Sequence, residues 1–179
     1  MSKLVNRRKL LQAGSAAAAG LLVAPRLGLA TVDTRVLSLL DTHNDQVLTA
    51  EYCTDGWYNP DALAQVDWLM RDWRVDETHR IDPGLLDIMY VLQRELGVGQ
   101  PIHIISGYRS AATNAMLRAR SRNVARNSYH LRGQAADIRI PGVGLSTLRS
   151  LALDLQAGGV GYYPQSDFVH VDTGPVRAW

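Results

Sequence analysis

Cysteine is nearly missing from this 179-residue sequence, with Cys53 the only one. A single cysteine excludes an intramolecular disulfide and a cysteine-rich structural metal site. It lies in the apolar stretch Ala50-Glu51-Tyr52-Cys53, which predicts a small buried hydrophobe rather than a reactive thiol. Lysine stops at Lys9, so every later cation except histidine is an arginine. Glutamate stops at Glu95, so carboxylate chemistry in the second half has to use aspartate. Long apolar runs are missing too. The stretch Ala13 to Ala24 is too short and too rich in Ala and Gly for a transmembrane helix. No internal repeat, low-complexity segment or long linker follows residue 31, which predicts one domain over 31–179.

What is present starts with an asymmetry of charge. The formal charge is +2, yet the first thirty residues hold Lys3, Arg7, Arg8, Lys9 and Arg26 and no acid. The remainder has 14 arginines against 17 Asp+Glu, a net of −3. A net-acidic body argues against a nucleic-acid binder. The leader has a basic start with paired arginines, a weakly apolar middle, and Gly28-Leu29-Ala30 as small residues for a signal peptidase. Residues 1–30 therefore read as a signal peptide resembling the twin-arginine type. That implies export to the periplasm and no stable membrane insertion after cleavage.

Apolar residues make up 46% of the chain, enough for a packed core in a domain of this size. Val36 to Leu40 and Val47 to Tyr52 flank the polar segment Asp41-Thr42-His43-Asn44-Asp45 and predict a β-hairpin. Asn59-Pro60-Asp61 supplies a cap and a first-turn proline for a helix with Leu63, Val66, Leu69, Met70 and Trp73 as its core stripe. Asp82-Pro83 opens a second helix with Leu85, Leu86, Met89 and Leu92 inward and Gly97 as its stop. Strands are expected over Ile102 to Ile105, Ala135 to Ile140, Val160 to Tyr163 and Phe168 to Val171, the last two as a hairpin. Helices are expected over Ala111 to Arg120 and Ser146 to Gln156. The whole predicts an α+β domain: an antiparallel sheet with helices packed on one side.

The segment Ser128-Tyr129-His130-Leu131-Arg132-Gly133-Gln134-Ala135-Ala136-Asp137 and the later Asp167-Phe168-Val169-His170-Val171-Asp172 carry the chemistry. His130, Asp137 and His170 form a donor set suited to zinc, and three protein ligands leave one position for water. His130 falls on a loop before a strand, and Asp137 and His170 each fall within a strand. If those strands are neighbours, one ion bridges them across a face. Gly133 permits a tight return, and Ala135 and Ala136 leave room beside a metal. His43, His79 and His103 have no such partners and read as structural or surface residues. Arg118, Arg120, Arg122, Arg126 and Arg132 form a basic stretch beside His130, either a solvated face or a contact for anionic polymer.

H-x-x-G-x-A-x-D followed by a later His resembles the LAS metallopeptidases, which include D-Ala-D-Ala peptidases, phage endolysin peptidases and the hedgehog zinc domain. Ser128 fits the longer form of that motif, and Ser106-Gly107-Tyr108-Arg109 matches the group's S-G-Y-R segment. Gly158-Gly159-Val160-Gly161-Tyr162-Tyr163-Pro164 and Phe168 to Pro175 resemble the murein endopeptidases within the group. The resemblance implies one Zn²⁺ per chain held by His130, Asp137 and His170, with peptidoglycan stem peptides as substrate. It implies that Arg109 stabilises the developing oxyanion and that Ser128 contacts substrate; Tyr108, Tyr162 and Tyr163 are further residues that either line the substrate groove or pack in the core.

Relatives place an acidic general base three positions before the second histidine, which here is Asp167. Strand alternation instead puts Asp172 on the face of His170. Asp172 is thus the alternative base, or an orienter of His170, and a mechanism without a second carboxylate stays open. The implied function is a murein endopeptidase cutting cross-links between stem peptides. Rivals are a D,D-carboxypeptidase or dipeptidase, a zinc-containing wall-binding module without catalysis, and a structural metal protein.

Overall fold

The computed structural model describes residues 33–97, 99–121 and 124–179. The leader lies outside them. β1 (Thr34–Asp41) and β2 (Val47–Thr54) form the expected hairpin, with Leu40 opposite Val47. Asp41 N–H closes the turn onto the Gln46 carbonyl at 2.9 Å. A two-residue strand β3 (Trp57–Tyr58), not expected from the sequence, extends this edge. Helix α1 (Pro60–Leu69) begins where Asn59 accepts from the N–H groups of Asp61 and Ala62. It ends sooner than its predicted stripe. Val66, Leu69 and Met70 are buried, but Trp73 lies past the helix, is 38% exposed, and stacks on His43 instead. Helix α2 (Pro83–Leu96) is capped by Asp82 and stopped by a left-handed Gly97, and Leu85, Leu86, Met89 and Leu92 are buried.

β4 (Ile102–Ser106) leads through a loop into α3 (Ala111–Arg120), whose first turn is capped by Ser110. β5 (Ala135–Arg139), α4 (Leu145–Asp154), β6 (Gly159–Tyr163) and β7 (Phe168–Asp172) follow. β8 (Arg177–Ala178) adds an edge strand that the sequence did not announce. The strand order is β3-β2-β1-β4-β5-β7-β6-β8. The domain is α+β as expected, but the sheet is mixed rather than antiparallel. β1 pairs with β4 and β6 with β8 in parallel. The chain between β1 and β4 contains α1 and α2, and such a helical crossover returns the next strand in the same direction.

Alternation along the strands separates two faces. Leu37, Leu39, Ile102, Ile104, Ala136, Ile138, Val160, Val169 and Val171 join Val66, Leu85, Leu86, Met89, Leu92 and Leu148 in one apolar cluster. Helices α1, α2 and α4 pack on this face, against β2, β1 and the β6–β7 pair respectively. Helix α3 gives no residue to the cluster; it buries only Thr113 and Asn114. Each large apolar side chain so buried contributes about 1.5–3 kcal/mol. The fold therefore rests on a face that excludes the candidate ligands, because Asp137 and His170 alternate with Ile138, Val169 and Val171 and point the other way.

Candidate metal centre

Asp137 on β5 and His170 on β7 are directly opposite in the antiparallel register. Cross-strand partners on one face have Cβ atoms about 4.5–5.5 Å apart, so the ladder alone brings these side chains together. His130 arrives from a 3-10 turn, Tyr129–Arg132. The Ser128 hydroxyl starts that turn by accepting the His130 N–H, and Gly133 ends it at φ +66°. A Cβ on Gly133 would run into the Arg80 carbonyl, so this return needs glycine on two counts. Ala136 faces the apolar cluster rather than the centre, so the room beside the ligands does not come from it.

His130 Nε2, His170 Nδ1 and Asp137 Oδ1 converge. The two nitrogens are 3.2 Å apart, and the oxygen is 3.2 Å from His130 and 2.9 Å from His170. Tetrahedral zinc with bonds of about 2.0–2.1 Å separates its ligand atoms by roughly 3.3 Å, so the donor set fits that ion. The rear atoms are fixed as well. His130 Nδ1 lies 2.7 Å from the Gly107 carbonyl, which only accepts, so Nδ1 carries the proton and Nε2 offers its lone pair. His170 Nε2 lies 2.9 Å from Asp172 Oδ2, which leaves Nδ1 for a metal. The Arg109 guanidinium takes Asp137 Oδ2, while both histidines face Oδ1.

The electrostatics follow from this packing. Burial pushes the His130 imidazole down, outweighing the attraction of Asp137, and favours the neutral form a ligand needs. Burial opposes ionisation of Asp137, but His130, Arg109 and the histidine hydrogen bonds hold its carboxyl well below the usual range. His170 is also pulled down by burial, yet its hydrogen bonds to Asp137 and Asp172 raise it overall. A metal arriving at Nδ1 must displace a proton there.

His130, Asp137 and His170 floor a cleft of about 470 Å³ lined also by Arg109, Ser128, Tyr129, Tyr163, Phe168 and Trp179. Neither sequence candidate for a base, Asp167 or Asp172, is among the residues lining the cleft. Asp167 is left-handed at φ +56°, its side chain is 61% exposed, and it pairs with Arg139 at 2.7 Å away from the cleft lining. Asp172 is fully buried and receives His170 Nε2, two Arg177 nitrogens, and the N–H groups of Gly159 and Gly174. Burial would raise its carboxyl, but the His170 and Arg177 hydrogen bonds carry it far below the ordinary range. These contacts favour its ionised form, and its bond to His170 Nε2 holds that ring from behind. Of the tyrosines, Tyr163 lines the cleft and Tyr162 packs against the apolar cluster, while Tyr108 is turned away. It belongs to the apolar cluster, gives its hydroxyl to Glu77 at 2.6 Å, and packs on His79. Of the basic stretch, Arg118, Arg120, Arg126 and Arg132 are exposed, and Arg122 lies outside the described residues.

Sequence reasoning missed three contributors. The Gly107 carbonyl fixes His130, and Arg177 closes the charge of Asp172. Trp179 sits 5.2 Å from the His170 ring and borders the cleft. The S-G-Y-R segment pointed to the first only as a motif. The other two depend on β8, which brings Arg177 beside Gly159.

The family described as peptidoglycan L,D-endopeptidase MepK (Peptidase_M15_2) matches residues 29–179. A relative named peptidoglycan L,D-endopeptidase MepK from Escherichia coli is 48% identical over 177 residues, covering 97% of each chain. A relative from Haemophilus influenzae, named probable peptidoglycan L,D-endopeptidase MepK, is 46% identical over 178 residues, covering 97% of this chain and 95% of its own. Matched over its whole described domain and at this identity, the chain belongs to the MepK family of peptidases.

Proposed function

We propose that this chain is an exported zinc endopeptidase that hydrolyses peptide cross-links of peptidoglycan, acting on the L,D link for which its relatives are named. The observation that carries the reading is the convergence of His130 Nε2, His170 Nδ1 and Asp137 Oδ1 at the floor of a cleft, with their rear atoms already bonded. When bound, a zinc ion supplies Lewis acidity, polarising an amide carbonyl and lowering the pKa of water towards about 7.

The chain's own residues account for the rest. Arg109 lines the cleft; its Nε donates to Ser106 and one terminal nitrogen to Asp137. A guanidinium has five donors, so others remain for the oxygen that becomes negative during attack. Ser128 Oγ accepts from His130 and keeps its own O–H to donate to a substrate oxygen. Among the described residues lining the cleft, Asp137 is the only carboxylate. Water adds across the amide, the C–N bond breaks, and the amine leaves protonated. Among the described residues no helix is long and apolar enough to cross a membrane. With residues 1–30 read as a twin-arginine signal, the place of action is the periplasm.

The experiment is digestion of cross-linked murein by the zinc-loaded protein, with and without chelator, and products resolved by mass. Conversion of dimeric muropeptides to monomers supports the proposal. Release of terminal D-Ala alone replaces it with a carboxypeptidase, and no cleavage by folded, zinc-loaded protein replaces it with a wall-binding module.

A further inference from the structure

One wall of the cleft is a continuous aromatic surface. Tyr163 and Phe168 stack at 4.7 Å across the β6–β7 hairpin. Trp179 continues the surface, donating its indole N–H to the Tyr163 hydroxyl at 2.7 Å. The Arg177 guanidinium lies over the indole, 4.9 Å from the ring centroid. The backbone fixes it further, because Tyr162 N–H donates to the Trp179 carbonyl and Trp179 N–H to the Val160 carbonyl. Gly161, opposite His170 on the neighbouring strand, makes room for it: a Cβ there would meet the indole at 2.7 Å. Yet Trp179 remains 47% exposed. A large aromatic ring positioned this firmly beside a metal ligand, and still open to the cleft, is a prepared apolar contact.

Resting on the endopeptidase reading, we propose that Trp179, with Tyr163 and Phe168, is the specificity-determining wall that packs the aliphatic side chain of the diamino acid on the carbonyl side of the cleaved bond. In an L,D link that residue is a diaminopimelate, with a three-methylene stem. In a D,D link it is D-alanine, with one methyl group. The amine side is the same diaminopimelate in both. Set against the carbonyl-side residue, as proposed, a flat apolar wall distinguishes the two links; set against the amine side it would not. A single methylene in an apolar pocket discriminates by about 10–200-fold, so a partly open wall meeting three of them supplies a preference of roughly tenfold or more.

The test uses the zinc-loaded protein, Trp179→Ala and Trp179→Phe, with purified L,D-linked and D,D-linked muropeptide dimers. The D,D dimer is measured as a substrate where it is cut and as a competitive inhibitor where it is not. We expect Trp179→Ala to raise KM for the L,D dimer about tenfold with a smaller change in kcat, to leave the D,D dimer's affinity within about twofold, and Trp179→Phe to recover most of the loss. Unchanged zinc stoichiometry and thermal midpoint separate this from misfolding. Equal losses on both dimers, a loss confined to kcat, or no loss would overturn the proposal. Failure of the unsubstituted protein to cut the L,D dimer would instead sink the endopeptidase reading.

Discussion

Replacing Asp172 with asparagine keeps the side-chain shape and removes its charge. Oδ1 of Asp172 accepts from Gly159 N–H, Gly174 N–H and Arg177, whereas Oδ2 accepts from His170 Nε2 and Arg177. An amide has one oxygen, and the three donors at Oδ1 claim it. Its NH₂ then occupies the Oδ2 position and faces His170 Nε2. The imidazole responds by making Nε2 the acceptor, which puts the remaining proton on Nδ1, the atom aimed at the metal. Losing such a partner of a metal-bound histidine costs about 10–100-fold in metal affinity, or roughly 1.4–2.8 kcal/mol. Leaving Arg177 facing a neutral amide adds a stability loss of a few kcal/mol, on the order of 3–5 kcal/mol for a broken buried pair and less here because Arg177 is partly exposed. Zinc affinity, read by competition against a coloured chelator, should fall in Asp172→Asn and stay unchanged in Asp167→Asn, whose exposed pair with Arg139 is worth about 0–1 kcal/mol. Undiminished zinc affinity in Asp172→Asn would refute the tautomer argument.

Three further outcomes follow from the same geometry. Gly133→Ala forces a left-handed alanine into the Arg80 carbonyl and should cost about 2–4 kcal/mol in urea denaturation; a loss below about 0.5 kcal/mol would show that the turn relaxes freely. Arg109→Lys should lower kcat about 100-fold or more with one zinc per chain retained, and full kcat in that variant would remove Arg109 from the oxyanion role. Tyr108, pushed up to about 12 by burial and its bond to Glu77, favours the fold in its neutral form. Its contribution is complete below the unfolded value near 10 and is lost as pH rises from about 10 to 12. Comparing the pH dependence of stability in Tyr108→Phe should show a shallower decline in that window; identical slopes would contradict the assignment.

The local parts of the fold were legible because their causes are local. Asn59-Pro60 and Asp82-Pro83 begin helices with donors and acceptors a few residues away, and Gly97 ends one through its own φ. The convergence of His130, Asp137 and His170 was legible as a motif, and strand alternation set Asp172, not Asp167, on the face of His170. Several features were not legible because they arise only when distant segments meet. The parallel pairing of β1 with β4 spans two helices, and β8 is two residues long with no apolar alternation to mark it. Through β8, Arg177 reaches Asp172 and Trp179 reaches the cleft. Tyr108 sits in a motif shared with site residues, yet its side chain turns to Glu77 and the apolar cluster, a choice made by the loop after Met70. Trp73 missed the core because α1 ends at Leu69, before the helical period reaches it.

The central claim is that His130, Asp137 and His170 hold one catalytic zinc that cuts peptidoglycan cross-links. Its most direct test strips the protein with a chelator, removes the chelator, and titrates zinc back while following cleavage of a purified L,D-linked muropeptide dimer. The account predicts no cleavage without metal, a folded domain throughout because the apolar cluster lies on the opposite face of the sheet, and activity that rises to a plateau at one zinc per chain. Cleavage that survives metal removal, or a folded one-zinc protein that leaves the dimer intact, would contradict it.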